Sequence, residues 1–167
     1  DDIVRAAFAL GSALKKGTKR GEALGLMLPT GAGAIITFFA INAYGRVPAM
    51  LNFTAGSRNL KSAMRAAKVK RLVTAHKFVE LGGLENLVAE LGKSVEIVYL
   101  EDVREKLSIV DKLAGLAGPS LPTFIGAGLS YKQPGVILFT SGTEGDPKGV
   151  VLSHENVMAN IEQVRAH

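Results

Sequence analysis

The chain has 167 residues, of which 47% are apolar and 21% charged, so it can form one domain with a hydrophobic core and is not intrinsically disordered. Its net charge of +5 suits an anionic ligand, although the basic residues are spread along the chain. The absence of cysteine excludes disulfides, thiolate catalysis and Cys-based zinc sites, and the 3 histidines lack the spacing of a metal site.

Helix and strand patterns alternate from the amino terminus to residue 117. Short apolar strands are predicted at 24–28, 47–51, 71–75 and 95–100, and helices at 1–16, 30–44, 56–68, 78–91 and 101–116. Thr30 is the predicted cap of the second helix, and Gly82-Gly83 can break the fourth. The apolar run Ile35–Ile41 is predicted to be core, because it is too short to cross a bilayer.

Buried strands that alternate with helices favour a parallel sheet covered on both faces. Right-handed crossovers then make a doubly wound, mainly parallel, flavodoxin-like α/β sheet the expected architecture. We assign residues 1–117 to this α/β subdomain. Residues 118–167 are expected to form a linker, a β-hairpin at 136–152 and a following helix.

The second part of the chain begins with a Gly/Pro-rich loop at 118–135, followed by strands at 136–139 and 149–152. Ser153 is a good N-cap for a helix that starts at His154. Val157, Ile161 and Val164 are spaced for one apolar face of that helix.

The segment between the two hairpin strands, Thr140–Lys148, has a composition that suits phosphate. Gly142 and Gly145 permit positive φ, so that consecutive backbone N–H groups can converge on an anion. Thr140, Ser141 and Thr143 add hydroxyl donors. Lys148 adds a cation, and Pro147 restricts the backbone directly before it. The sequence therefore predicts a phosphate-binding loop.

Two familiar nucleotide loops do not fit the segment. A Walker loop needs Ser or Thr and a helix directly after its lysine, whereas Lys148 is followed by Gly149 and a strand. The Gly-x-Gly-x-x-Gly pattern of dinucleotide-binding folds is absent as well. A plain hairpin turn remains the structural alternative, because such turns also favour Gly, Asp and Pro.

The stretch Phe139-Thr-Ser-Gly-Thr-Glu-Gly-Asp-Pro-Lys-Gly-Val-Val-Leu-Ser-His154 resembles the signature of the acyl-adenylate-forming superfamily, which includes acyl-CoA synthetases, peptide-synthetase adenylation domains and luciferases. Glu144 stands where most members have Thr or Ser. This departure, together with 46–56, 98–102 and 154–164, is similar to the acyl-acyl carrier protein synthetase part of the bifunctional 2-acylglycerophosphoethanolamine acyltransferases.

The resemblance implies an amino-terminal portion of an adenylating domain that uses ATP and Mg²⁺ to convert a fatty acid to acyl-AMP and pyrophosphate. The residues it assigns to the β- and γ-phosphates of ATP are Thr140, Ser141, Gly142, Thr143, Glu144, Gly145, Pro147 and Lys148. Lys148 and Thr143 are the implied catalytic residues, since they stabilise the departing pyrophosphate. Glu144 is the one candidate metal ligand, but it can equally repel phosphate until the metal arrives.

The implied partners are a fatty acid, acyl carrier protein or CoA as acceptor, and the rest of the parent chain. The adenine-binding segment, the carboxy-terminal lid with its lysine and an acyltransferase domain do not occur in these 167 residues. The resemblance also implies lysophospholipid reacylation, with this segment in the cytoplasm and the parent protein at the bacterial inner membrane. The alternative function is a non-catalytic α/β binding module with an anion-binding hairpin.

Other polar residues have simpler interpretations. We expect His76 to be an ordinary loop residue, Asn52 to satisfy backbone groups or line a substrate path, and Glu101-Asp102 to be favoured by the dipole of their own helix. His154 is expected to serve as a helix-entry residue rather than to face a nucleotide. The densest basic cluster, 68–71, is interpreted as a solvated helix end, and nucleic acid is not an expected partner.

Overall fold

A computed structural model describes residues 2–122, 126, 128–140 and 147–166. The strands are β1 Ala23–Leu26, β2 Val47–Met50, β3 Arg71–Thr74, β4 Glu96–Tyr99, β5 Pro134–Thr140 and β6 Lys148–Ser153. They form one six-stranded sheet in the order β4-β3-β1-β2-β5-β6. Neighbouring strands are parallel except β5 and β6, which are antiparallel. The predicted doubly wound, mainly parallel sheet with a terminal hairpin is confirmed.

Helices cover both faces of the sheet. They are α1 Asp2–Leu14, α2 Ala32–Ala43, α3 Gly56–Ala66, α4 His76–Leu81, α5 Glu85–Leu91, α6 Leu100–Glu105, α7 Ile109–Ala117 and α8 His154–Arg165. One core cluster joins the sheet to α3, α4 and α5, and the second joins it to α1 and α2. These two layers follow from strands such as β1, whose four residues are all buried.

Helix boundaries differ from the prediction at several places. The helix expected at 101–116 is divided into α6 and α7, because the Ser108 side chain accepts a hydrogen bond from Asp111 N and starts a new helix with a capping box. Thr30 is not the cap of α2, since Gly31 occupies that position without a side-chain hydrogen bond. The predicted break at Gly82-Gly83 is confirmed, as α4 ends before it and α5 begins after it.

Two apolar helix faces are less buried than their sequences suggest. Ile35 and Phe39 in α2 are 47% and 53% exposed, so the expectation that the whole run 35–41 is core was wrong. In α8, Ile161 and Val164 are exposed too. Among the described helices, none is long and apolar enough to span a membrane.

The hairpin belongs to the same sheet as the first part of the chain. Strand β5 pairs in parallel with β2 through Ala49 and Ile137. The sheet is therefore continuous across residue 117, and the division at that residue stays a prediction. The pairing sets the hairpin beside the carboxyl end of β2.

Candidate functional site

The two ends of the predicted phosphate loop lie opposite each other at the edge of the sheet. Thr140 ends β5, Lys148 begins β6, and the two residues are register partners in the antiparallel pair. Both side chains are exposed, and Pro147 beside Lys148 is half-buried. Ser141, Gly142, Thr143, Glu144 and Gly145 lie outside the described residues, so their assignments stay predictions.

A small cleft of about 280 Å³ lies at the base of this loop. Its walls come from the end of β2, the first turns of α3 and the two ends of the loop; they are Leu51, Asn52, Ala55, Asn59, Leu60, Ala63, Phe139, Thr140 and Pro147. The floor is apolar because Leu51, Leu60 and Ala63 belong to the core. The polar side chains that line the cleft are Asn52, Asn59 and Thr140.

Two asparagines provide the amide groups of this cleft. Asn52 Oδ1 accepts hydrogen bonds from Thr54 N at 3.0 Å and Thr54 Oγ1 at 2.9 Å, so it caps a short 3-10 turn at 53–55. Asn59 Nδ2 donates to Ala55 O at 2.9 Å. The expectation that Asn52 satisfies a backbone group is confirmed, whereas a role in a substrate path stays a prediction.

Asn59 was not singled out from the sequence. The sequence indicates it only by position: it lies in the first turn of α3, which follows β2 and Asn52. The turn between them brings the two side chains to one cleft, which a search by motif does not reveal.

The cleft lies where α/β sheets place ligands. It is formed at the carboxyl ends of the parallel strands β2 and β5, outside which ligands bind in open α/β sheets. Lys148 enters this edge from the antiparallel strand β6. The arrangement places a cation next to a cleft that has a hydroxyl, amide groups and an apolar floor, which suits a phosphate-bearing ligand.

His154 lies at the other end of the hairpin. Ser153, the residue before His154, pairs with Pro134 at the start of β5. Pro134 is six residues from Thr140, so the two ends of β5 are roughly 20 Å apart along the extended strand. His154 begins α8, its N–H donates to Gln133 O at 3.2 Å, and its ring lies against Gly135. Its place agrees with the helix-entry interpretation.

A second polar cluster occupies the carboxyl ends of β3 and β4. His76 is the first residue of α4, not a loop residue; its ring stacks on Tyr99 at 3.7 Å, and its Nε2 lies 2.8 Å from Asp102 Oδ1. Glu101 accepts from the backbone N–H groups of His76 at 2.9 Å and Lys77 at 3.2 Å. The two acids begin their own helix, as predicted, but they also bind a neighbouring one.

The hydrogen bonds to Glu101 have an electrostatic consequence. Burial alone raises the pKa of its carboxyl, but hydrogen bonds from the backbone N–H groups of His76, Glu101 and Lys77, together with the nearby His76 side chain, outweigh burial and leave the pKa below its ordinary value. Within the described ranges, no three His, Asp or Glu side chains are grouped closely enough to hold a metal ion. Glu144, the candidate metal ligand, lies outside those ranges.

Comparison with known proteins points to one kind of enzyme. A family model described as "AMP-binding enzyme" matches residues 1–167. The chain is 26% identical over its whole length to long-chain-fatty-acid–CoA ligase 1 of Schizosaccharomyces pombe, covering 26% of that protein. It is 27% identical to 2-succinylbenzoate–CoA ligase of Bacillus cereus over 86% of the chain and 25% of the relative.

Solved structures share the fold. The structure of VinN with 3-methylaspartate superposes with a TM-score of 0.74 at 19% identity, over 99% of this chain and 44% of VinN. The long-chain-fatty-acid-CoA ligase FadD1 of Archaeoglobus fulgidus gives a TM-score of 0.72 at 23% identity, over 98% of this chain and 31% of the ligase. The chain spans about a quarter of the length of the curated relatives it matches.

Proposed function

Because the chain belongs to the AMP-binding enzyme family, we propose that its parent protein is an ATP-dependent ligase that activates a fatty acid. The fatty-acid carboxylate attacks the α-phosphorus of ATP, the bond to the bridging oxygen breaks, and acyl-AMP and pyrophosphate result. The observation that carries this proposal is the pairing of Thr140 with Lys148 beside a cleft at the carboxyl ends of β2 and β5.

The role of Lys148 follows from charge. Negative charge grows on the pyrophosphate oxygens as the bond to the α-phosphorus breaks. A cation held at the base of the loop therefore stabilises the transition state more strongly than it stabilises bound ATP. The Lys148 side chain is exposed and, in the part of the chain that the structure describes, forms no ion pair. Its ammonium group is therefore open to solvent on the described side of the hairpin.

The hydroxyl of Thr140 supplies a neutral donor at the same edge. Together with the loop residues Ser141 and Thr143, it donates hydrogen bonds to phosphate oxygens. Mg²⁺ would neutralise further phosphate charge, and it typically needs only one or two carboxylates in addition to substrate oxygens. Glu144 is our candidate for that role.

The acyl acceptor is the finer part of the proposal. Glu144 and the stretches 46–56, 98–102 and 154–164 support acyl carrier protein, with CoA as the other acceptor. Transfer to acyl carrier protein would serve lysophospholipid reacylation by an acyltransferase domain of the same parent protein. We place this segment in the cytoplasm and the parent protein at the bacterial inner membrane.

Substitution of Lys148 by Ala in the full-length parent tests the proposal. We expect fatty-acid-dependent ATP–pyrophosphate exchange to fall about 10²- to 10³-fold, the usual effect of removing one transition-state donor. The variant should keep the parent's thermal midpoint, because Lys148 is exposed. Lys132→Ala, which removes another exposed lysine before β5, is the matched control and should exchange normally.

The rival function, a non-catalytic binding module, predicts no such loss. Unchanged exchange in Lys148→Ala, or a parent protein that does not activate carboxylates with ATP, would contradict the proposal. Comparison of acyl carrier protein with CoA as acceptor in the same preparation tests the finer assignment separately.

A further inference from the structure

A basic groove of about 510 Å³ lies at the edge of the sheet opposite the candidate site. It is formed where α3 ends and where β3 and β4 begin, and its lining is Lys61, Met64, Arg65, Lys68, Val69, Lys70, Ser94 and Val95. We propose that this basic groove binds an acidic segment of a partner polypeptide. The basic cluster 68–71, expected to be only a solvated helix end, contributes two of its cations.

The groove concentrates unpaired positive charge. Lys61 is paired with Glu90 at 2.6 Å, whereas Arg65, Lys68 and Lys70 are exposed and form no ion pair among the residues that the structure describes. The lining of this concavity therefore holds four cations, of which only Lys61 is paired with a carboxylate. Such a potential attracts an acidic partner and raises its rate of association.

The backbone of Lys68 is the most unusual feature of the groove. Its φ is +54°, and no other non-glycine residue in the described ranges has a positive φ. The position ends α3, with Val69 N donating to Met64 O at 2.8 Å, an arrangement in which glycine is usual because a side chain is strained there. A lysine at this position adds a cation to the groove in spite of its strain.

The surroundings favour a polypeptide over a membrane or a nucleic acid. Glu90 and Glu96 lie beside the groove, where they pair with Lys61 and Arg71 and interrupt the positive surface. The basic surface is therefore short, which suits a few carboxylates of a peptide better than a continuous array of phosphates. The floor is apolar, as Met64 and Val69 belong to the core. A segment with acidic residues around an apolar side chain complements both the charged rim and the apolar floor.

Binding of a short fluorescein-labelled peptide of Glu, Asp and Leu, followed by fluorescence anisotropy, tests this proposal on the 167-residue chain. We expect binding that weakens with salt, and little binding of the matched peptide of Gln, Asn and Leu. Lys68→Gly should weaken binding about two- to fivefold, as for one partly screened charge pair. The same variant should raise the thermal midpoint, because glycine relieves the strain at φ +54°.

A matched control separates the groove from overall charge. Lys112→Gln removes an exposed cation in α7 and should leave peptide affinity unchanged, whereas Arg65→Gln combined with Lys70→Gln should weaken it by more than Lys68→Gly does. Equal losses in Lys68→Gly and Lys112→Gln would overturn the proposal. Equal binding of the uncharged peptide, or stronger competition by anionic vesicles or duplex DNA, would overturn it as well.

Discussion

Asp111 is a fully buried carboxylate that joins α7 to the end of α1. Its Oδ2 accepts from Lys16 Nζ at 2.6 Å, from Ser108 Oγ at 2.6 Å and from Ser108 N at 3.0 Å. Burial alone would raise the pKa of this carboxyl. The hydrogen bonds from Lys16 and Ser108 have the larger combined effect and hold the pKa well below its ordinary value. Folding therefore favours its ionised form.

The pH dependence of stability follows from that direction. The stabilisation by Asp111 is complete above the unfolded pKa of about 3.9, and it is lost as the pH falls through the lower folded pKa. We expect Asp111→Asn to lower the free energy of unfolding at pH 6 by about 2 kcal/mol, because Lys16 and Ser108 lose a charged acceptor. Urea denaturation at pH 6 and pH 3 measures this difference, which should shrink at pH 3. An equal difference at both pH values would contradict the assigned role of the charge.

A local motif can be proposed from the sequence alone, whereas contacts between distant residues cannot. Thr140, Pro147 and Lys148 can be proposed as parts of one phosphate site because they are close in sequence, and that assignment stays a prediction. Asp111 was missed because Lys16 lies 95 positions away. The hydrogen bond between His76 and Glu101 could not be predicted either, because the two residues are neighbours through the order of the strands and not through the sequence.

At the level of elements, buried strands were the most predictable feature. The central strands are short and apolar on both faces, so an apolar run such as 47–51 locates β2 at Val47–Met50 to within one residue. The division of α6 from α7 was missed because the apolar spacing continues across it. The start of α7 is set by Ser108 and Asp111, whose hydrogen bonds form a capping box.

Helices α1 and α2 approach each other closely through a glycine. A Cβ at Gly11 would overlap Ala40 O and would lie 2.6 Å from Tyr44 Cδ2. Tyr44 is itself fixed, because its hydroxyl donates to Phe8 O at 3.0 Å in the interior. The absence of a side chain at Gly11 therefore determines how near the two helices can lie.

Gly11→Ala tests this contact. We expect the free energy of unfolding to fall by about 1–3 kcal/mol, the usual cost of overpacking, although alanine is the better helix former. Gly33→Ala is the matched control, since a Cβ at Gly33 of α2 meets no atom within 4 Å, and it should be neutral or slightly stabilising. Denaturant unfolding of both variants measures the contrast; a stabilised Gly11→Ala would show that the helices separate without cost.

For the whole molecule, the alternation of elements predicted the class of fold but not the order of its strands. Right-handed crossovers restrict which face each helix covers, yet they allow a following strand to join either side of the sheet. Strands β3 and β4 lie on one side of β1, and β5 lies beyond β2 on the other side. This order depends on the combined packing of both helical layers. The position of the cleft follows from that order and was equally hidden.

The cleft at the base of the loop is small for a nucleotide site. At about 280 Å³ it is smaller than most small-molecule sites, which enclose roughly 300–1,000 Å³ and bury most of their ligand. We infer that this cleft takes the phosphate groups next to Lys148 and that adenosine and the acyl chain need further residues of the parent protein. Water would then screen the cation and weaken its effect on the departing pyrophosphate.

We therefore expect the isolated chain to fold but to show no fatty-acid-dependent ATP–pyrophosphate exchange, whereas the parent protein shows it. Circular dichroism and a cooperative thermal transition establish that the chain is folded, so that a missing activity is not a missing structure. Exchange by the isolated chain at a rate near that of the parent would mean that these residues alone orient ATP and carboxylate. Such a result would contradict the inference that the small cleft holds only the phosphate end of the nucleotide.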